Sequence, residues 1–163
     1  MDDEARAVKK SLDNQRAHVL GILEGLSEEM FRRPVLPSGW NCLGLVQHLA
    51  LEVEHYWFQC IVGGEPLDFF GERSAERSGW HVAPDQSPED VVKLYREEIE
   101  RADLIIAGTP LGDPPRQRDE WWGDWQVPDV RFIMLHVIAE TACHAGHLDA
   151  VRELLDGRQW VVL

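Results

Sequence analysis

One long helical pattern in the last third of the chain constrains the fold most. It runs from Asp129 to Gly157, carries apolar residues at spacings of three and four, and is preceded by Pro128. Gly157 comes directly after the last periodic residues, where a glycine commonly ends a helix. A helix of this length must bury an apolar face along most of its course, so we expect other helices to pack against it.

Three more helical patterns complete the prediction. The first spans about 5–24, the second runs from Asn41 to about Ile61, and the third begins at the capping residue Ser87 and ends near Ala107. No segment alternates with a period of two over a useful length, which argues against a β-sheet. The sequence therefore predicts an all-α protein that folds as a four-helix bundle, with one domain over residues 1–163.

The composition narrows the choice of partner and compartment. Acidic residues outnumber basic ones by 29 to 16, which gives a formal charge of −13. The basic residues are scattered and form no stripe that could neutralise phosphates, so nucleic acid is not expected as a partner. No apolar run reaches the roughly eighteen residues of a membrane span, and MDDEARAVKK lacks a signal-peptide core, so we expect a soluble, cytoplasmic protein. Three cysteines without paired spacing predict no disulfide.

The connections on either side of the third helix are long and rich in Gly, Pro and Trp. Such connections are unusual in a compact bundle and frequent at functional sites. They carry a group of aromatic side chains: Trp80, His81, Trp121, Trp122 and Trp125. Two interpretations stay open, because these side chains either form a pocket mouth or dimer contact or cover the ends of the bundle.

A carboxylate and two histidines lie on the apolar face of the fourth helix. At about 100° per residue, His144 falls in the middle of that face, and Glu140 and His147 lie within about 60° of it. Burying an unpaired carboxylate costs several kcal/mol, and a divalent cation would satisfy the carboxylate and the imidazoles together. Bundle metal sites take ligands from facing helices, and His48 on the second helix is the best third candidate. The pattern thus predicts a metal held by Glu140 and His144, with His48 as the candidate third ligand. His48 lies at the boundary of its helix's apolar stripe, so periodicity alone would not select it.

The alternative to a metal is a structural role for the same residues. Glu140 would then pair with Arg131 or Arg152, and the histidines would bond to the backbone or to each other. Three residues on the flank of the second helix are weaker candidates for lining a site, since charged residues on a helix flank are typical of a solvated face: Glu52, Glu54 and His55. The remaining histidines are weak candidates for a site: His18, His81 and His136.

Two segments together resemble the DinB-like superfamily. They are GWNCLGLVQHLALEVEHYWF and, further along the chain, LHVIAETACHAGHLDAVRELLDG, and they look most like its branch catalogued as a domain of unknown function, DUF664. The resemblance implies an up-down-down-up four-helix bundle with long crossovers, commonly dimeric, that holds nickel or zinc through three side chains. Those positions fall on His48, Glu140 and His144. Many members have histidine at the position of Glu140, whereas the related mycothiol-dependent maleylpyruvate isomerases are similar in their histidine, glutamate, histidine set.

Three ligands leave an open metal position, which is the catalytic arrangement. The leading hypothesis is a metal-dependent thiol transferase or isomerase that uses a low-molecular-weight thiol such as mycothiol or bacillithiol. A metal-bound thiol is deprotonated and so becomes a nucleophile at neutral pH. One alternative is a metal-dependent hydrolase with Glu52 or His147 as general base. The other is a stress-related binding protein that the metal only stabilises. His147 is also a candidate fourth ligand, and a homodimer is expected from the resemblance.

Overall fold

The computed structural model describes residues 2–67 and 79–160, and all regular secondary structure within these ranges is helical. The helices are α1 (Asp3–Leu23), α2 (Glu28–Arg32), α3 (Cys42–His48), α4 (Pro88–Gly108) and α5 (Val130–Asp156). A π-helix over Leu49–Val62 continues α3 without a break, and a short 3-10 turn spans Glu120–Trp122. The predicted all-α class is confirmed, while the up-down-down-up order stays a prediction.

The capping residues place the ends of the long helices close to the predicted positions. Ser87 and Asp90 form a capping box at the start of α4, with proline as its first residue. Asp129 accepts a hydrogen bond from the backbone N–H of Phe132 and so caps α5. Gly157 ends α5 with a φ of 79°, in the left-handed region that favours glycine. Local chemistry therefore fixes where these helices begin and end.

Two helical features were not predicted. The short helix α2 begins at Ser27, whose side chain accepts a hydrogen bond from the N–H of Met30. The second predicted helix is α-helical only as far as His48 and is then bonded from residue i to i+5, as in the bond from the Gly63 N–H to the Phe58 carbonyl at 2.8 Å. Glycine nevertheless follows this helix, as the sequence predicted.

The π-helix is the central element of the core. Its second half is buried on every side, with Tyr56 through Val62 all inaccessible or nearly so. It packs against α4 and α5, while α1 packs along α5 and α3 contacts both α4 and α5. A helix that is apolar all round is stable only when it is surrounded, so this one lies between the other long helices. None of the helices in the described ranges is long and apolar enough to cross a bilayer.

A buried ion pair joins three of these helices, and it corrects one prediction. Glu54 is fully buried, not part of a solvated face. Arg16 on α1 donates to both of its oxygens, from Nε at 2.7 Å and from Nη2 at 2.6 Å, and its Nη1 donates to Asp103 of α4 at 2.8 Å. Burial disfavours the charged guanidinium, but the Glu54 carboxylate outweighs this and raises the pKa of Arg16. The flank of the second helix is therefore partly interior.

Candidate metal centre

The three predicted ligands lie together although they come from two separate parts of the chain. His48 is the last residue of α3, and Glu140 and His144 are four residues apart on α5. One donor atom from each lies within 4.8 Å of the other two. The Nε2 atoms of His48 and His144 are 3.8 Å and 3.6 Å from the same oxygen, Oε1 of Glu140. Two imidazoles thus face one carboxylate oxygen.

The hydrogen bonding of His48 fits a divalent cation. Its Nδ1 bonds to Oε2 of Glu52 at 2.5 Å, whereas its Nε2 is buried and has no hydrogen-bond partner among the described residues. Buried polar atoms without a partner are rare in folded proteins and call for an explanation. This nitrogen points towards a carboxylate oxygen and a second imidazole, which together are a preferred donor set for zinc or nickel.

The electrostatics keep the carboxylate of this group ionised. His144, followed by His48, holds the pKa of Glu140 far below its usual range and outweighs the effect of partial burial. Burial disfavours the charged form of His48, but the neighbouring carboxylates of Glu140 and Glu52 outweigh it and raise the pKa of that imidazole. The group can therefore offer a cation one anionic oxygen and two ring nitrogens.

The arginine pairing considered as an alternative for Glu140 is not what the structure contains. Arg131 donates to Glu4 from Nε at 2.6 Å. Arg152 donates from Nη1 to main-chain carbonyls at the end of α1, and from Nε to Asp156. The ion-pair contacts of Glu140 among the described residues are with histidines. Neither predicted arginine neutralises this carboxylate.

The loop before α4 covers one side of His48. The ring of Trp80 stacks on the imidazole with centroids 4.6 Å apart and an interplanar angle of 23°. Gln47 donates to the Gly79 carbonyl at 2.9 Å, which fastens the loop to α3. At Gly44 an added Cβ would lie 2.4 Å from the Trp80 carbonyl oxygen, so only glycine permits this approach. Of the loop aromatics, Trp80 is thus part of the site.

A second aromatic cluster reaches the site from the other side, through a histidine that the sequence analysis ranked low. Trp57 stacks on Trp122, and Trp125 packs edge-on against both. His136 lies against Trp57 and Trp125 with centroids 4.8 Å and 5.4 Å away, and its Nε2 is 3.7 Å from Oε2 of Glu140. Its position one turn before Glu140 was the available signal. Trp122 is buried, as in the interpretation that these aromatics cover the bundle, and Trp125 is partly exposed.

The remaining histidines of the described residues have positions away from the three-residue group. His18 pairs with Asp149 at 3.2 Å, and His55 pairs with the buried Glu98 at 3.0 Å. His81 is exposed on the loop. His55 is therefore mostly buried, with 13% of its side chain exposed, and does not lie on a solvated flank.

The two residues predicted as general bases both lie directly behind a member of the group. Glu52 bonds to Nδ1 of His48, and Nδ1 of His147 is 3.5 Å from Nδ1 of His144. His147 is exposed and also lies beside Trp40, with centroids 6.2 Å apart. Both residues contact the nitrogen that faces away from Glu140.

Comparison with known proteins decides the family. The family model of the mycothiol S-transferases matches residues 7–157, nearly the whole chain. The chain belongs to this family. Neither the search of curated proteins nor the search of solved structures gave a match.

Membership confirms the resemblance to the DinB-like superfamily, because mycothiol S-transferases are a DinB-like family. The matched range contains most of α1, all of the other long helices and every residue of the three-residue group. In this member of the family the histidines and the glutamate that the sequence singled out are neighbours in space, and the side chain of Glu140 is one-third exposed.

Proposed function

We propose that this protein is a metal-dependent S-transferase that joins a low-molecular-weight thiol of the mycothiol class to an electrophile. His48, Glu140 and His144 would hold the metal, zinc or nickel. The observation that carries the proposal is the buried, unpartnered Nε2 of His48 opposite Glu140 and His144, in a chain whose family is named for this activity.

The chemistry that a divalent cation supplies in such a site is a lowered pKa of a coordinated thiol, and so a thiolate near neutral pH. The residues of the chain would hold the metal and leave room for the thiolate. Glu140 contributes a single negative charge, which leaves the whole group net positive when loaded, and three donors leave a position for substrate. Trp80 covers His48 and keeps water from that side.

The surroundings of the site support a route for two substrates. His147 is exposed and lies next to Trp40 and His144, so a polar thiol can approach there. Trp125 borders the other side, next to His136, and offers a partly exposed ring to an apolar electrophile. This arrangement supports a group transfer between two small molecules.

The alternatives are less well supported. A hydrolase needs a free general base, and Glu52 has one oxygen engaged by His48. A purely structural metal usually has four protein ligands, and the group in the described residues has three members: His48, Glu140 and His144.

A homodimer in the cytoplasm, built from one domain per chain, is part of the same proposal. Its support is the family resemblance together with two large exposed apolar side chains of α5, Leu135 and Leu154, which are 52% and 63% exposed. Light scattering after size-exclusion chromatography tests it, and a mass of one chain would refute the dimer.

Elemental mass spectrometry of protein purified without a histidine tag tests the metal. We expect about one equivalent of zinc or nickel per chain, as for a single catalytic site, and its loss in the His48→Ala/His144→Ala variant. The control is His18→Ala/His81→Ala, which removes two histidines outside the group and should retain the metal. No metal in the wild type after incubation with both ions would refute the proposed centre.

The activity is tested by following thiol loss when mycothiol and an electrophile such as monochlorobimane are mixed with the protein. We expect thiol loss above the uncatalysed rate in the wild type and none above it in the Glu140→Ala variant. Metal binding without thiol loss over a panel of electrophiles would refute the transferase and retain the metal centre.

A further inference from the structure

We propose that Glu52 and His147 are positioning residues that fix the orientation and tautomer of two metal donors, so that His48 and His144 both offer Nε2 to the centre. The inference rests on the proposed function, because it concerns the same site. It assigns to the two predicted general bases a different role. Each acts through a neighbouring histidine, not on the substrate.

The His48–Glu52 pair carries most of the argument. An ionised carboxylate can only accept a hydrogen bond, so the 2.5 Å contact to Glu52 places the proton of a neutral His48 on Nδ1. The lone pair of the ring is then on Nε2, the atom that faces Glu140 and has no partner. Carboxylates behind metal-binding histidines commonly act in this way.

The loop packed on this pair prevents it from rearranging. A Cβ added at Gly79 would lie 2.9 Å from the Cα of His48 and 3.1 Å from Oε2 of Glu52. Trp80, the next residue, stacks on the imidazole ring. The glycine backbone thus covers the hydrogen bond, and the tryptophan blocks rotation of the ring. Gly79 and Trp80, which hold the His48 ring in place, are not members of the three-residue group.

His144 has the corresponding arrangement on α5. Its Nε2 faces Oε1 of Glu140 at 3.6 Å, and its Nδ1 faces Nδ1 of His147 at 3.5 Å. When Nε2 serves as a donor, the remaining proton of a neutral His144 is on Nδ1, and the Nδ1 lone pair of His147 can accept it. His147 therefore does for His144 what Glu52 does for His48.

Nuclear magnetic resonance of the metal-free protein tests the Glu52 part without any metal or substrate. Long-range proton–nitrogen spectra at about pH 9, where imidazoles are largely neutral, report which ring nitrogen of His48 carries the proton. We expect Nδ1–H in the wild type and in Glu52→Gln, whose amide oxygen still accepts, and a shift towards Nε2–H in Glu52→Ala. An Nε2–H majority in the wild type would overturn the assignment.

Zinc affinity, measured by competition with a chromophoric chelator, tests both residues. Glu52→Ala and His147→Ala should each bind zinc about 10–100-fold more weakly, and Glu52→Gln close to the wild-type affinity. The matched control is Asp149→Ala, which removes a carboxylate that pairs with a histidine outside the group, His18, and should leave zinc affinity unchanged. Circular dichroism confirms that each variant is folded.

The outcomes separate this inference from the proposed function. A wild type that fails to bind zinc or nickel refutes the metal centre, and the nuclear magnetic resonance result still decides the role of Glu52. Tight zinc binding in the wild type together with equal affinity in Glu52→Ala and His147→Ala overturns the inference and leaves the metal centre in place. Weak binding in the Asp149→Ala control as well would also overturn it, since the effect would then be general.

Discussion

Replacement of Glu54 by alanine should destabilise the fold strongly, although this residue lies on the same helix flank as Glu52. The variant would leave the guanidinium of Arg16, which is only 2% exposed, without its principal partner. Removing one member of a buried ion pair costs about 3–5 kcal/mol, because the remaining charge stays buried. Arg16 keeps its bonds to Asp103 and Asp13, at 2.8 Å and 3.3 Å, so we expect the lower end, about 3 kcal/mol.

Thermal unfolding of the metal-free protein measures this loss. At about 2–4 °C per kcal/mol for a chain of this size, the Tm should fall by about 6–12 °C. The control is Glu97→Ala, which breaks a largely exposed pair with Lys93 and should change the free energy of unfolding by no more than about 0.5 kcal/mol.

A double variant makes the reasoning refutable. Arg16→Met/Glu54→Leu removes both charges and fills the space with apolar atoms, so it should be more stable than Glu54→Ala. If the double variant were the less stable of the two, or if Glu54→Ala and Glu97→Ala had the same Tm, an unpaired buried charge would not be the cause. Because Glu54→Ala is expected to destabilise the whole fold, it cannot serve as a control variant in measurements of metal binding.

The remaining predictions concern cysteine reactivity and glycine packing. Burial raises the pKa of Cys42 to about 11, so its thiolate is scarce at neutral pH and its alkylation should accelerate as the pH rises towards that value. Peptide mapping of the native protein after iodoacetamide at neutral pH should find exposed Cys143 modified and Cys42 intact, and early labelling of Cys42 would contradict this. Gly44→Ala should lower the free energy of unfolding by about 1–3 kcal/mol because its Cβ would overlap a loop carbonyl. Gly146→Ala, with open space around the new atom, should raise it by up to about 1 kcal/mol, and equal effects in urea titrations would refute the packing argument.

The long helices and two members of the group, Glu140 and His144, could be predicted because their signals are local. Ser87 and Asp129 cap their helices within three residues, and Glu140 and His144 share a face by spacing alone. His48 is different. Periodicity placed it only at the boundary of the apolar stripe, and the family resemblance was needed to select it.

The errors have a common physical origin in contacts between distant parts of the chain. Glu54 was assigned to a solvated flank because charged residues on a helix flank usually face water, but it is fully buried. Its partner Arg16 lies on another helix, which no local pattern identifies. His136 was ranked low because Trp57 and Trp125, which hold it beside Glu140, come from separate segments.

The packing of α1 along α5 has a consequence for how the chain reaches its native state. The first helix of the chain finds its main partner in the last one, and Arg152 of α5 donates 2.7 Å and 3.0 Å hydrogen bonds to the carbonyls of Ile22 and Glu24, where α1 ends. During synthesis, which proceeds from the amino end, α1 leaves the ribosome long before these donors exist. Contacts at such sequence separation slow folding, since a long loop must close first. The bundle therefore closes late, after nearly all of the described chain has been made.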